Sequence, residues 1–209
     1  MAAHWTTYFY ALKLSNVALG MLSLYTFPVI TALLEPLFIK TKFNPIHIVL
    51  GLVVLLGIYI LAPEFDLESN HVQGIILGVI SAVCYSLRIL ILKRHVAYYN
   101  GTMLMFYQVL FITILLAPLL FFFDTSGIET QYPYVILLAL LTTAIGHTMM
   151  VKKLNYFSVS TASIISSIQP IFGILLAFIF LHEIPTLNTF FGGLLILSTV
   201  VIESVRSKK

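Results

Sequence analysis

Gln169 stands alone in an apolar stretch, directly before Pro170, in IISSIQPIFGILL. Its amide offers two donors and two acceptors. A proline at that place removes one backbone hydrogen bond and bends its helix. If the stretch crosses a bilayer, the freed carbonyl needs another partner, so the bend is expected to face protein or a water-filled cavity. Gln169 is therefore read either as a hydrogen-bonding contact to a polar solute or as an interhelical bond worth about 0.6–2 kcal/mol of packing. Ser166, three residues earlier in a run of small hydroxyl residues (Ser160, Thr161, Ser163, Ser166, Ser167), is a cavity candidate with Gln169 and Pro170, while the Ser160/Ser163/Ser167 face suits close helix approach better than substrate contact.

Other polar side chains sit at membrane depth. Arg88, in CYSLRILILKR, has Tyr85 three residues earlier on the same helical face. An arginine at a helix centre costs roughly 2.5–3.5 kcal/mol on insertion scales. Arg88 is shallower, and either snorkels to the near interface or contacts an anion or carboxylate at an inner mouth. His147, in TTAIGHTMM, is read as a packed histidine or a proton carrier near neutral pH. Tyr107 and Gln108, in MLMFYQVLF, either line a cavity or pack. Tyr25 and Pro28 join the candidates on an earlier apolar stretch. Glu35, before Pro36, meets Lys40 or the interface, with a coupling ion as the sharper reading.

Catalytic chemistry is not expected. His4, His47, His71, His95, His147 and His182 are scattered, and no pair shows metal-ligand spacing on one helix. Cys84 has no cysteine partner, and Ser166 lacks a G-x-S-x-G setting. No glycine-rich phosphate loop is present. The expectation is a chain without metal, cofactor or enzymatic activity. The basic residues fall in pairs at loop edges, which does not suit nucleic acid.

The elements that must hold these residues are membrane helices. Hydrophobic residues make up 60% of the chain and charged residues 9%, and the mean hydropathy is +1.04. Those values exclude a soluble globular domain. Seven stretches are long enough to span: Val17–Ile39, Pro45–Leu61, Val72–Leu92, Gly101–Phe123, Tyr134–Val151, Val159–Leu181 and Leu187–Ser204, after an N-terminal half-helix, Met1–Leu12. The expected class is all-α, a polytopic membrane helix bundle. With the C-terminus in the cytoplasm, Lys40, Lys42, Lys93, Arg94, Lys152, Lys153, Arg206, Lys208 and Lys209 all fall inside, and only Lys13 falls outside. The acids Glu64, Asp66, Glu68, Asp124, Glu129 and Glu183 fall outside. The bias predicts an integral protein of a cytoplasmic-type (inner) membrane.

The chain also repeats. Pro170 and Pro28 are 142 positions apart, and the same offset relates Val17 to Val159 and Gly51 to Gly193 without a gap from about Leu12 to Ile60. Pro-interrupted spans at corresponding places in two halves are the best sequence pointer to a transporter's binding site. Five spans fill the second copy, and an odd number inverts one copy relative to the other. The expected domains are 1–62, the C-terminal half of a first copy, and 71–205, the second. The first copy would begin roughly 70 residues before Met1, so two and a half helices of a ten-helix form are expected to be missing. The alternative is a half-helix lying along the interface.

These residues resemble the EamA type of the drug/metabolite transporter superfamily. The resemblance is carried by Ala11-Leu12-Lys13-Leu14 with Val17-Ala18, by Ile168-Gln169-Pro170-Ile171-Phe172 through Leu181-His182-Glu183, and by Gly192-Gly193-Leu194-Leu195-Ile196. The chain departs from the pattern with Gln169 where an acid is common and His182 where glycine is common. Phe27 precedes Pro28 in the first copy, and Thr41 replaces its exit glutamate. The resemblance implies ten helices and a central cavity between the copies, with small organic metabolites or drugs as substrates. The expected function is a secondary transporter, taken as an exporter, whose copies rock about that cavity. The other reading is a truncated or non-transporting membrane protein that serves as a scaffold or partner subunit. Expected partners are the lipid bilayer and a small-molecule substrate, with a homodimer left open.

Overall fold

The computed structural model describes residues 1–38, 44–61, 66–122, 127–154 and 169–206, and among them every regular element is helical. Helix α1 is Ala2–Leu14. Asn16 then starts α2 (Val17–Leu24), its Oδ1 accepting the Leu19 N–H at 2.8 Å and so satisfying one of the helix's orphan donors. The chain breaks at Tyr25–Thr26 and resumes as α3 (Phe27–Phe38). Pro28 thus lies in the first turn of α3, where a missing N–H costs little. Thr26 closes the break, its hydroxyl donating to the Ser23 carbonyl at 2.8 Å. The expected bend is therefore two helices, jointly Val17–Phe38, 22 residues and long enough to cross a membrane.

The remaining elements are α4 (Ile46–Leu61), α5 (Asn70–His95), α6 (Gly101–Leu116) with a 3-10 extension Ala117–Phe121, α7 (Ile128–Leu138), α8 (Thr148–Lys153), α9 (Gln169–Leu181) and α10 (Leu187–Arg206). A π-helical stretch, Ala139–His147, joins α7 to α8. Three helical runs are long and apolar enough to span: Val17–Phe38, Asn70–His95 and Ile128–Lys152. Four shorter apolar helices, Ile46–Leu61, Gly101–Leu116, Gln169–Leu181 and Leu187–Ile202, occupy the other expected spans. The first half of the Val159–Leu181 stretch, with Ser160, Thr161, Ser163, Ser166 and Ser167, lies outside the described residues, as do Lys40, Thr41, Lys42, Glu64, Asp124, Lys208 and Lys209.

The chain forms two compact units. In the smaller, Met1–Ala2 with Leu92–Ser158, α6 packs against α8. Their backbones approach closely: a Cβ on Gly101 would lie 2.9 Å from the Lys152 Cα. Lys93 Nζ donates to the Leu154 carbonyl at 2.7 Å, filling one of the acceptors left at the end of α8.

In the larger unit, Ala3–Ile91 with Val159–Lys209, the longest seam runs between α4 and α10. Gly57 and Gly192 face one another there. A Cβ on Gly192 would come 2.8 Å from the Gly57 carbonyl oxygen, and one on Gly57 would come 3.1 Å from the Gly192 oxygen. Small residues permit such approach where lipid supplies no hydrophobic drive between helices. Leu19, Leu22, Leu61, Val72, Ile75 and Ile196 form the core beside this seam. Val29, Leu50 and Val54 form a second cluster between α3 and α4.

Candidate functional site

The break in the first kinked span exposes its consequence at Tyr25. The Tyr25 side chain is buried, 3% exposed, and its hydroxyl donates to Gln169 Oε1 at the start of α9. Its ring packs edge-on against Phe27, centroids 5.6 Å apart, and Phe27 packs edge-on against Tyr85 of α5 at 4.8 Å. Arg88, one turn further along α5, is buried at 7% exposure with its guanidinium carbon 5.8 Å from the Tyr85 ring centroid. A cation over an aromatic face gains electrostatically from the ring quadrupole. The Tyr85/Arg88 spacing therefore does place both side chains together.

The α3 end of the break is tied to α5. Ser86 Oγ, wholly buried, lies 3.0 Å from the Phe27 carbonyl and 2.8 Å from the Ala82 carbonyl on its own helix. Hydroxyl-to-carbonyl bonds of this kind join helices across a span where lipid offers no partner. Helix α1 adds His4, which is buried at 4% exposure and lies 4.8 Å from the Tyr85 ring. His4 Nδ1 is 2.7 Å from Ser81 Oγ and 3.3 Å from the Ser81 carbonyl. Ser81 Oγ donates to the His4 carbonyl at 2.9 Å, and an imidazole carrying its proton on Nδ1 would donate to Ser81 in return.

Of the expected site residues, the larger unit thus gathers Tyr25, Pro28, Tyr85, Arg88, Gln169 and Pro170. Gln169 itself is exposed and Pro170 buried. Tyr107 and His147 belong to the smaller unit. Tyr107 is 59% exposed and packs on Phe106, and Gln108 bonds back to the Leu104 carbonyl. His147 Nδ1 lies 2.7 Å from the Thr142 carbonyl inside the π-helical stretch. Ser166 lies outside the described residues. Sequence reasoning missed His4, Phe27, Ser81 and Ser86. The available signal was modest: a histidine inside the apolar, aromatic α1, and two serines five residues apart on the apolar α5.

A second polar cluster closes one end of the α2–α9 contact. His182 follows α9 with φ of 56°, the left-handed conformation that ends helices, and the Glu183 N–H turns back to the Ala177 carbonyl at 3.3 Å. Glu183 Oε2 then accepts the Val17 N–H at 3.0 Å, adding a carboxylate to the N-terminus of α2. A small cavity of about 30 Å³ lies beside it, lined by Asn16, Ala18, Ala177, Glu183, Thr186 and Thr189 among others. That space suits water and is far below the several hundred Å³ of an organic-ligand site. Among the described residues no cluster of metal-ligating side chains occurs.

An apolar chain whose described elements are all helical, several of them long enough to cross a bilayer, is a polytopic membrane protein. The chain belongs to the EamA-like transporter family, whose model matches residues 1–62 and 72–204. It is an integral membrane protein. Two curated relatives, both described as uncharacterized transporters of Archaeoglobus fulgidus, are 30% identical over 186 residues and 27% identical over 201. The alignments cover 87% and 94% of this chain. The chain spans 58% of the first relative's length and 70% of the second's. A solved crystal structure of a protein with 20% identity matches with a TM-score of 0.70, over 99% of this chain and 74% of that one, and supports the fold.

Proposed function

We propose that this chain acts in secondary transport of small organic metabolites or drugs, as an exporter, in a cytoplasmic-type membrane with its C-terminus inside. Residues 1–62 and 71–205 are the portions of two inverted copies that rock about a path between them. The carrying observation is the bond between Tyr25 and Gln169. It links the break at Tyr25–Thr26 to the residue before Pro170, at an exposed amide halfway along an apolar stretch. An exposed amide at that depth is costly against lipid. It is stable where the open side is an aqueous path, so the space beside Gln169 is the solute route. Discontinuous helices at mid-membrane depth are the usual frame for such a route.

The test is efflux from proteoliposomes that hold the full 209-residue chain. The vesicles are loaded with the small-molecule pool of the host cell, and loss of each solute is followed by mass spectrometry. The chain should release a defined subset faster than empty vesicles, and Gln169→Ala should slow that release with insertion unchanged. Release indistinguishable from empty vesicles would overturn the proposal.

A further inference from the structure

We infer that the Tyr25–Gln169 pair presents hydrogen-bond donors, so that the solute group received there is an oxygen acceptor, a carboxylate or carbonyl, and not an ammonium. This rests on the reading of the space beside Gln169 as the solute path. The Tyr25 hydroxyl is the group that fixes the polarity. It lies on a buried side chain and has one proton to place. That proton goes to Gln169 Oε1, and among the described residues no other acceptor is recorded for it. Turning the amide over would set its NH₂ against the hydroxyl and strand the buried O–H proton, a penalty of the kind that orients buried amides. Oε1 is therefore held at the tyrosine. Nε2, with two N–H groups, faces away from it on an exposed side chain, and among the described residues it makes no hydrogen bond.

A carboxylate or carbonyl oxygen satisfies those N–H groups. An ammonium meets donors with donors. Tyr25 acts as the positioning residue, and Gln169 makes the contact. The rings of Phe27 and Tyr85 behind Tyr25 make aromatic probes appropriate.

The experiment uses the full chain in lipid nanodiscs with three probes of one shape: benzoate, benzamide and benzylamine. Ligand binding is read as thermal stabilisation, which grows with probe concentration over the dissociation constant. Benzoate and benzamide should stabilise at concentrations at least tenfold below benzylamine. Gln169→Glu, which replaces donors by acceptors, should reverse that order. Tyr25→Phe frees the amide to turn and should narrow the separation to threefold or less, with the unliganded melting point as the control for folding. Benzylamine binding as well as benzoate, binding of none of the three, or an order that survives Gln169→Glu would each overturn the assignment. Counterflow of the same probes in proteoliposomes separates the two claims. Binding in the expected order without movement upholds the donor assignment and overturns the transport reading. Movement with no preference among the three overturns the assignment alone.

Discussion

The Tyr25 hydroxyl donates to Gln169 Oε1, although the two residues are 144 positions apart. Tyr25 also packs on Phe27. Phe27 and Gln169 are the residues directly before Pro28 and Pro170, and they correspond to one another in the repeat. A single side chain therefore touches the residue before each of these prolines, once through its ring and once through its hydroxyl.

Removing the amide tests that contact most directly. Gln169→Ala deletes one hydrogen-bonding group worth about 1 kcal/mol, and loss of that order in binding a solute corresponds to roughly fivefold to tenfold in flux. Membrane insertion and yield should match the parent, as measured by extraction and gel filtration. Efflux at the parental rate would remove Gln169 from the path.

The glycine seam should respond asymmetrically. An alanine at Gly192 meets the Gly57 carbonyl oxygen at 2.8 Å, a backbone atom that cannot turn aside. An alanine at Gly57 meets Cγ1 of the buried Ile196 side chain at 2.8 Å but the Gly192 backbone oxygen only at 3.1 Å. Overpacking costs typically about 1–3 kcal/mol. Gly192→Ala should therefore lower the melting temperature by roughly 2–10 °C, and Gly57→Ala by less. Equal effects, or none, would show that the helices part easily.

At His182 the expected change is a gain. Its φ of 56° costs an L-residue roughly 1–2 kcal/mol that glycine does not pay. Against this, glycine loses more chain entropy on folding, about 0.5–1 kcal/mol. The side chain is exposed and little packing is lost. His182→Gly should raise the melting temperature by about 1–4 °C. A fall would mean that the imidazole has a role beyond ending α9.

Glu183 caps a helix that lies 166 positions away in sequence. Glu183→Ala leaves the Val17 N–H without its acceptor, at a cost of about 0.5–2 kcal/mol. Glu183→Gln keeps an oxygen for that N–H and should lose clearly less. A melting series of the three proteins decides between acceptor geometry and charge. Gln behaving like Ala would assign the effect to the carboxylate charge at the start of α2.

Much of this architecture was legible in the sequence because its causes are local. Apolar length marks the spans, and Pro28 marks the break at Tyr25–Thr26, while the segment before Pro170, where the second bend was expected, lies outside the described residues. The Tyr85/Arg88 spacing puts two side chains on one helix face. Even the departure at His182 was visible, although only the structure shows the left-handed backbone that explains why glycine suits that place. The rest depended on contacts that no local pattern encodes. His4 looked like one of six scattered histidines, because its partner Ser81 is 77 positions away. His147 drew the attention instead, being a histidine in a full span. In the structure it bonds the Thr142 carbonyl of its own helix. Tyr25 and Gln169 were both legible as polar residues near kinks, but their meeting required the tertiary fold.

The seam at Gly57 and Gly192 carries a mechanical meaning. Helices α4 and α10 touch backbone to backbone, and on the proposed reading of two inverted copies they occupy the same place in each. Equivalent parts that touch must straddle the line about which the copies are related. Atoms near such a line travel least when the two halves swing, and atoms far from it travel most. If the copies rock as proposed, the seam would be the bearing of the molecule, and the pair at Tyr25 and Gln169 the kind of contact that a swing makes and breaks. Bulk added to the bearing should show first as lost stability, and bulk added at the bends as lost turnover.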